Sequence, residues 1–214
     1  MLREFELNSL FFGSRVRIPL LMARKVKPLE EKARRAALVK AAYYAIYEHG
    51  YASVTLADIA RAAGVSKGTL VYYFGSKEGL FKLVLDRFIR TITFSTAKAV
   101  RSKKTPLEKL EAFVNYEFYG LENTKRFYTV YLDFLSASTK ESELALVTRQ
   151  FFKDSEILEL QIAALGSGLD TEAQSWQIRA LVDGLSIRFV FDENADLELY
   201  RTRCLGGMRA LLGI

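Results

Sequence analysis

Residues 53–79 read SVTLADIARAAGVSKGTLVYYFGSKEG, and this stretch predicts more about the fold than any other part of the chain. Thr55 and Asp58 stand three residues apart, as in a capping box, and apolar residues follow them at helical spacing. Gly64 ends this helix, because the left-handed conformation just beyond a helix end favours glycine. Ser66 then caps the next helix. The stretch therefore predicts two short helices joined by a tight turn.

The outer face of the second helix carries chemical groups that suit the major groove of DNA. Its lysine can neutralise phosphate, and tyrosine hydroxyls can reach phosphate oxygens. Gly68 lets the backbone come close to the groove, Thr69 can hydrogen-bond a base edge, and Val71 can contact a thymine methyl group. A compact helical corner also needs a glycine, alanines and a cap for packing alone. The residue pattern by itself leaves that structural interpretation open.

From about Arg34 to Leu80 the chain resembles the DNA-binding domain of the TetR family of transcriptional regulators. The matching residues are Ala41-Ala42, Gly50-Tyr51, Val54-Thr55, Asp58-Ile59-Ala60, Gly64-Val65-Ser66-Lys67-Gly68-Thr69-Leu70, Tyr72-Tyr73-Phe74 and Ser76-Lys77-Glu78. The resemblance implies DNA contacts from Thr55, Lys67, Thr69, Tyr72, Tyr73 and Lys77, to which the chemistry of the helix adds Gly68 and Val71. Many members carry tyrosine where this chain has Val71, so we expect an apolar contact there instead.

Composition and charge fit this interpretation. The chain has 214 residues, half of them hydrophobic, and long helical patterns without clear strand alternation predict an all-α fold. Residues 1–80 contain 13 Lys and Arg against 7 Asp and Glu, whereas residues 81–214 contain 18 of each. The basic excess therefore accompanies the helix pair and can steer a polyanion toward it. A single cysteine and the lack of a long apolar run predict a cytoplasmic protein with no membrane partner.

The first 27 residues are expected to be a poorly ordered extension. Met22 opens a stretch that resembles the start of many family members, which suggests that residues 1–21 precede the true start. The alternative is an arm that contacts DNA through Arg15 and Arg17. In either case Arg24, Lys25 and Lys27 would form a basic arm suited to phosphates or the minor groove.

Nine helices are predicted, and they resemble the family plan. A three-helix helix-turn-helix DNA-binding domain is expected at 28–75, and a six-helix ligand-binding and dimerisation domain at 76–214. Helix starts are predicted after the caps Ser76, Thr105, Ser138, Asp170 and Asn194. The eighth and ninth helices are apolar on more than one side, which predicts either a partner or a fully internal eighth helix. The resemblance favours a homodimer that pairs these two helices.

Aromatic residues in the middle helices suggest a place for a small molecule, although most such residues are simply core. An unidentified effector is expected from the resemblance, and its candidate contacts are Tyr116, Tyr131, Trp176, Asp133 and Asp183. Aromatic walls with a carboxylate would suit an organic cation. The segment RFYTVYLDFLS, residues 126–136, faintly resembles the betaine-regulator branch of the family, and no ligand is assigned from it.

The sequence gives little support to an enzyme. It lacks a Cys/His pair, metal-ligand spacing, a P-loop and a dinucleotide-binding glycine pattern, so neither a cofactor nor a metal is expected. We expect a ligand-responsive DNA-binding transcriptional regulator, a repressor that binds a palindromic operator as a dimer. Its fourth helix is expected to carry the signal between the domains. The alternative is a helical ligand-binding or adaptor protein without sequence-specific DNA binding.

Overall fold

The computed structural model describes residues 28–168 and 170–214, leaving out the side chains of Pro28 and Phe88. Over these residues the chain is all-α, as predicted, and the predicted order of three helices followed by six is confirmed. The helices are α1 Pro28–His49, α2 Leu56–Ala63, α3 Lys67–Phe74, α4 Lys77–Arg101, α5 Pro106–Glu117, α6 Leu121–Ser138, α7 Ser142–Ala163, α8 Thr171–Phe191 and α9 Leu197–Leu212. The expected N-terminal extension, with its basic arm, lies outside the described residues.

Two compact units make up the described chain. The first reaches to Arg87 and includes Asp133–Ala145, and the second contains Phe88–Leu132 and Leu146–Ile214. The chain passes from one unit to the other inside three helices, in α4 after Arg87, in α6 after Leu132 and in α7 after Ala145. None of the described helices is long and apolar enough to cross a membrane.

Local side-chain chemistry fixes the start of each short helix in the first unit. The Thr55 hydroxyl accepts from the Asp58 N–H, and the Asp58 carboxylate accepts from the Thr55 N–H, so the predicted capping box is confirmed. Gly64 ends α2 at φ 65°, in the left-handed region that a side chain disfavours. Ser66 caps α3 by accepting from the Thr69 N–H at 3.1 Å. The buried faces of these helices share a core that includes Leu38, Ile46, Ile59, Leu70 and Phe81.

The last two helices pack closely in the second unit. On α8, Ile178 and Val182 are fully buried, and on α9 so are Cys204 and Met208. A Cβ atom built on Gly207 would lie 2.8 Å from a Leu181 methyl carbon. A side chain at position 207 would therefore require the Leu181 side chain to shift where the two helices approach each other.

Two predicted caps are wrong. Ser138 is the last residue of α6, and its hydroxyl donates to the carbonyl of Phe134 in the preceding turn. α7 begins only at Ser142. α9 is capped by Asp196, not by Asn194, because the Asp196 carboxylate accepts from the next turn's backbone N–H groups. In both places more than one residue near the helix start is of a type that can act as its cap.

Candidate nucleic-acid interface and effector cavity

α3 turns one face into the first unit and the other outward. Leu70 and Phe74 are buried, at 0% and 9% exposure. On the outward side of the helix, Lys67 and Val71 are exposed, and Tyr72 is 79% exposed. A helix held by two apolar anchors with a polar outer face is what docking into a major groove requires.

A shallow concavity lies beside the start of α3. It is lined by Arg34, Ser66, Gly68, Thr69, Tyr72 and Tyr73. The Thr69 and Ser66 hydroxyl oxygens lie 3.0 Å apart, which orients both side chains along the rim. Sequence reasoning did not single out Arg34, whose Nε is buried with no hydrogen-bond partner among the described residues. A second arginine beside it in the sequence contacts the Phe74 ring instead, so no local pattern distinguishes the two roles.

The two remaining predicted DNA contacts have partners within the first unit. The Thr55 hydroxyl donates to the Asp58 carboxylate at 2.6 Å while remaining exposed. Lys77 is half-buried, and its ammonium group lies 4.9 Å from the centre of the Tyr51 ring. These two residues therefore help to build the edge of the helix-turn-helix as well as facing outward from it.

The second unit contains a small cavity of about 20 Å³, room for about one water molecule. Five helices contribute its lining: Ile89, Ile92, Thr93 and Thr96 from α4, Glu117 from α5, Phe127, Tyr128 and Tyr131 from α6, Phe151, Ser155 and Leu158 from α7, and Arg179 from α8. The Tyr131 ring stacks on Phe127, with centroids 5.8 Å apart, and meets Phe151 edge-on. Aromatic faces thus form one side of the cavity.

Three carboxylates surround a single guanidinium, that of the lining residue Arg179. Arg179 pairs with Glu159, with Asp183 at 3.4 Å and with Glu117 at 3.9 Å. The Tyr128 hydroxyl also donates to Glu117 at 2.9 Å. With all groups ionised, this cluster has two more negative charges than positive ones. We call Glu117, Glu159, Asp183 and Arg179 the acidic cluster.

Burial controls the protonation of the acidic cluster. Loss of hydration raises the pKa of Glu117, and Arg179 only partly offsets this effect. Burial likewise raises the pKa of Glu159 and of Asp183 against the pull of the same guanidinium. Burial alone would lower the pKa of Arg179, but the three carboxylates raise it by more than burial lowers it. The guanidinium therefore stays charged. At a given pH the three carboxyls are therefore protonated to a greater extent than exposed carboxyls are.

Of the five residues predicted to contact a ligand, only Tyr131 lines this cavity. Asp183 belongs to the acidic cluster, and Tyr116 packs against the core of the second unit. Trp176 is 68% exposed and donates its Nε1–H to Glu156, while Asp133 lies in the first unit and accepts from the Tyr51 N–H. The structure therefore brings together a different set of residues from the predicted one.

Sequence reasoning missed Glu117 and Glu159. Their spacing in the sequence indicates that they are buried. Glu117 follows buried Phe113 by four residues, and Glu159 precedes buried Ile162 by three. Each carboxylate therefore falls on the buried face of its helix. Two hydroxyls in the cavity lining, Thr96 Oγ1 and Tyr131 OH, are buried with no hydrogen-bond partner among the described residues.

An exposed apolar stripe runs along α8. It comprises Ala173, Trp176, Ala180, Gly184, Ile187 and Phe191, each exposed and spaced three or four residues from the next. On α9, Gly206 is exposed, and a Cβ atom built there would meet nothing within 4 Å. The stripe is a second apolar face on a helix whose first face is already buried in the core.

Comparison with known proteins assigns both parts of the chain. Residues 38–84 match the model for bacterial regulatory proteins of the tetR family, and residues 106–213 match the C-terminal model of BetI-type transcriptional repressors. The HTH-type transcriptional regulator BetI of Agrobacterium fabrum is 32% identical over 162 residues, which cover 74% of this chain and 77% of that protein.

Solved structures share the fold at lower identity. A transcriptional regulator of Saccharomonospora viridis in complex with choline gives a TM-score of 0.74 at 21% identity, covering 84% of this chain and 96% of that one. The regulator FadR of Bacillus subtilis in complex with stearoyl-CoA gives a TM-score of 0.71 at 23% identity, covering 83% of this chain and 98% of that one.

Proposed function

This chain belongs to the TetR family of transcriptional regulators, and we propose that it is a repressor released from its operator by an organic cation. The observation that carries the DNA-binding half is the outer face of α3, which is exposed while Leu70 and Phe74 anchor its other side. Such an arrangement leaves Lys67, Thr69 and Tyr72 available to nucleic acid.

The contacts with DNA follow from the chemistry of that face. Lys67 and the tyrosine hydroxyls bind phosphates and position the helix, whereas Thr69 and Val71 meet base edges. Arg34 adds a guanidinium at the rim of the α3 concavity, where it would contact a phosphate. Thr55, Gly68, Tyr73 and Lys77 complete the proposed contact set.

A homodimer would complete the DNA-binding unit. The apolar stripe on α8 fits a second copy of itself, and Gly206 on α9 allows a partner backbone to come close. A two-fold dimer would present its α3 helices to successive major grooves, about 34–36 Å apart, and read an inverted repeat.

The charge of the second unit favours a cationic effector. Glu117, Glu159 and Asp183 outnumber Arg179, and the rings of Phe127, Tyr131 and Phe151 offer faces for cation–π contacts. The related structures hold choline in one case and stearoyl-CoA in another, so their common fold does not select the ligand. An anionic acyl-CoA would meet the acidic cluster unfavourably, whereas choline carries the complementary charge.

Release follows from a population shift. The cavity, about 20 Å³ in volume, is too small for choline, so the cation must select a conformation in which the cavity is wider. If DNA selects the narrower conformation, the two ligands oppose each other. Reciprocity then requires choline to weaken operator binding by the same factor as operator weakens choline binding.

Paired titrations test this function. Operator affinity is measured by fluorescence anisotropy with and without saturating choline, and choline affinity by calorimetry with and without an operator duplex selected from random sequences. We expect both affinities to fall by one common factor of about 5 to 150. Operator affinity unchanged by choline would reject the effector assignment, and equal affinity for operator and scrambled duplexes would reject sequence-specific regulation.

A further inference from the structure

The corner between α1 and α2 is held by two carboxylates that are remote in sequence. The backbone N–H of Tyr51 donates to the Asp133 carboxylate at 3.1 Å, and the Tyr51 hydroxyl donates to the Glu141 carboxylate at 2.6 Å. Tyr51 is only 6% exposed, and both hydrogen bonds are partly shielded from water. Asp133 lies in the last turns of α6, and Glu141 lies just beyond the end of that helix.

This corner is structurally continuous with the DNA-binding edge. Gly50 ends α1 at φ 75°, and its carbonyl accepts from the Val54 N–H one residue before the α2 cap. The Tyr51 ring packs against Phe81 and Phe134, with centroids 4.7 and 5.9 Å away. A displacement of Asp133 would therefore move the Tyr51 backbone and, with it, the start of α2.

The same helix that anchors the corner also lines the cavity of the second unit. Phe127, Tyr128 and Tyr131 on α6 face that cavity. Tyr131 precedes Asp133 by two residues, a rise of about 3 Å along the helix axis. Along α4, Phe81, which packs on the Tyr51 ring, precedes the lining residue Ile89 by eight residues, a rise of about 12 Å along the axis.

We propose that Asp133 and Glu141 are positioning residues for operator binding, and that α6 carries occupancy of the cavity to the Tyr51 corner. This inference rests on the proposed function, because it assumes that cavity occupancy opposes DNA binding. It assigns to α6 the transmitting role that the sequence suggested for the fourth helix. Asp133 acts on DNA only through the Tyr51 backbone and does not contact it.

A double-mutant cycle tests the inference without depending on the identity of the effector. Ser155 is buried in the cavity lining, so Ser155→Leu fills the cavity from within. Operator affinity is measured by anisotropy for the parent, Ser155→Leu, Asp133→Ala and the double variant. We expect Ser155→Leu to weaken operator binding at least about fivefold in the parent and less than about twofold in the Asp133→Ala background.

Matched variants separate positioning from general stability. Asp133→Asn keeps an oxygen that can accept from the Tyr51 N–H. In this background, Ser155→Leu should therefore weaken operator binding as much as it does in the parent. Tyr51→Phe removes only the hydrogen bond to Glu141 and should reduce the effect of Ser155→Leu on operator affinity. Glu143→Ala, at an exposed position nearby in the sequence, should leave that effect unchanged. Thermal unfolding of each variant shows that the protein used is folded.

Two results would overturn the inference. One is a Ser155→Leu effect of equal size with and without Asp133. The other is a Ser155→Leu variant that binds operator with the same affinity as the parent, because filling the cavity would then have no effect at the Tyr51 corner. If Ser155→Leu weakens operator binding but choline leaves the operator affinity of the parent unchanged, only the effector named under the proposed function is rejected.

Discussion

The ammonium nitrogen of Lys77 lies 4.9 Å from the centre of the Tyr51 ring. It also lies 5.6 Å from the centre of the Phe81 ring and donates to the Ala52 carbonyl at 3.4 Å. Lys67, in contrast, is exposed at the start of α3. Two lysines to which the sequence gives the same role therefore have different surroundings, and their removal should have different consequences.

Lys67→Ala should weaken operator binding and reduce its salt dependence. One lost phosphate contact lowers the slope of log K against log salt by about 0.9. Lys77→Ala should weaken binding with a smaller change in slope, because it also removes packing on Tyr51. Anisotropy titrations over a range of salt concentrations give both slopes. Lys98→Ala, an exposed lysine in the second unit, is the control, and a Lys67→Ala slope equal to that of Lys98→Ala would contradict the contact.

Arg34→Ala should weaken binding to operator and to scrambled duplexes by the same factor. A phosphate contact carries no sequence information, so the ratio of the two affinities should stay constant. Competition titrations with both duplexes measure that ratio. Lys32→Ala, another basic residue exposed on α1, serves as the comparison. Binding by Arg34→Ala that equals the parent would remove Arg34 from the interface.

Ala180→Arg should break the proposed dimer. Ala180 lies in the middle of the exposed apolar stripe, and a paired interface would bury two new arginines without partners. Sedimentation velocity should show a monomer, and operator affinity should fall. Asn115→Arg adds the same charge at an exposed position on α5 and should remain dimeric. A dimeric Ala180→Arg variant would place the interface elsewhere.

Choline should bind more tightly as the pH rises. Burial raises the pKa of Glu117, Glu159 and Asp183 above their ordinary values of 4.5, 4.5 and 3.8, so these carboxyls keep their protons to a higher pH than exposed carboxyls do. Choline has no titrating proton and binds best when the carboxyls are ionised. Its affinity is therefore lost as the pH falls through the raised pKa values. Calorimetry at one neutral and one acidic pH measures this difference.

Glu117→Gln supplies the control for that pH dependence. It removes one titrating carboxyl while keeping an acceptor for the Tyr128 hydroxyl. The difference in choline affinity between the two pH values should shrink. Equal choline affinity at both pH values in the parent would show that the acidic cluster does not receive the cation.

Local chemistry made the helix-turn-helix predictable. The capping box of Thr55 and Asp58, the αL conformation of Gly64 and the cap at Ser66 all depend on residues within a few positions of one another. Such signals can be read from a single segment. The caps at Ser138 and Asn194 were predicted in the same way and are wrong, because each segment offers more than one residue of a type that can cap a helix.

The cavity was much less predictable, because five helices contribute to it. Glu117 and Glu159 resemble ordinary surface charges until α5, α7 and α8 bring them to one arginine. Trp176 has the aromatic character of a pocket residue but lies exposed on α8. Sequence spacing indicates which face of a helix is buried, but it does not show which helices meet there.

Selection of duplexes from a random-sequence library tests the central claim, that α3 reads base sequence, most directly. The parent protein should recover an inverted repeat whose half-sites are centred about one helical turn apart, and Thr69→Ala should change the preferred base at one position of each half-site. Recovered duplexes that share no inverted repeat, or a Thr69→Ala preference identical to the parent's, would contradict the account.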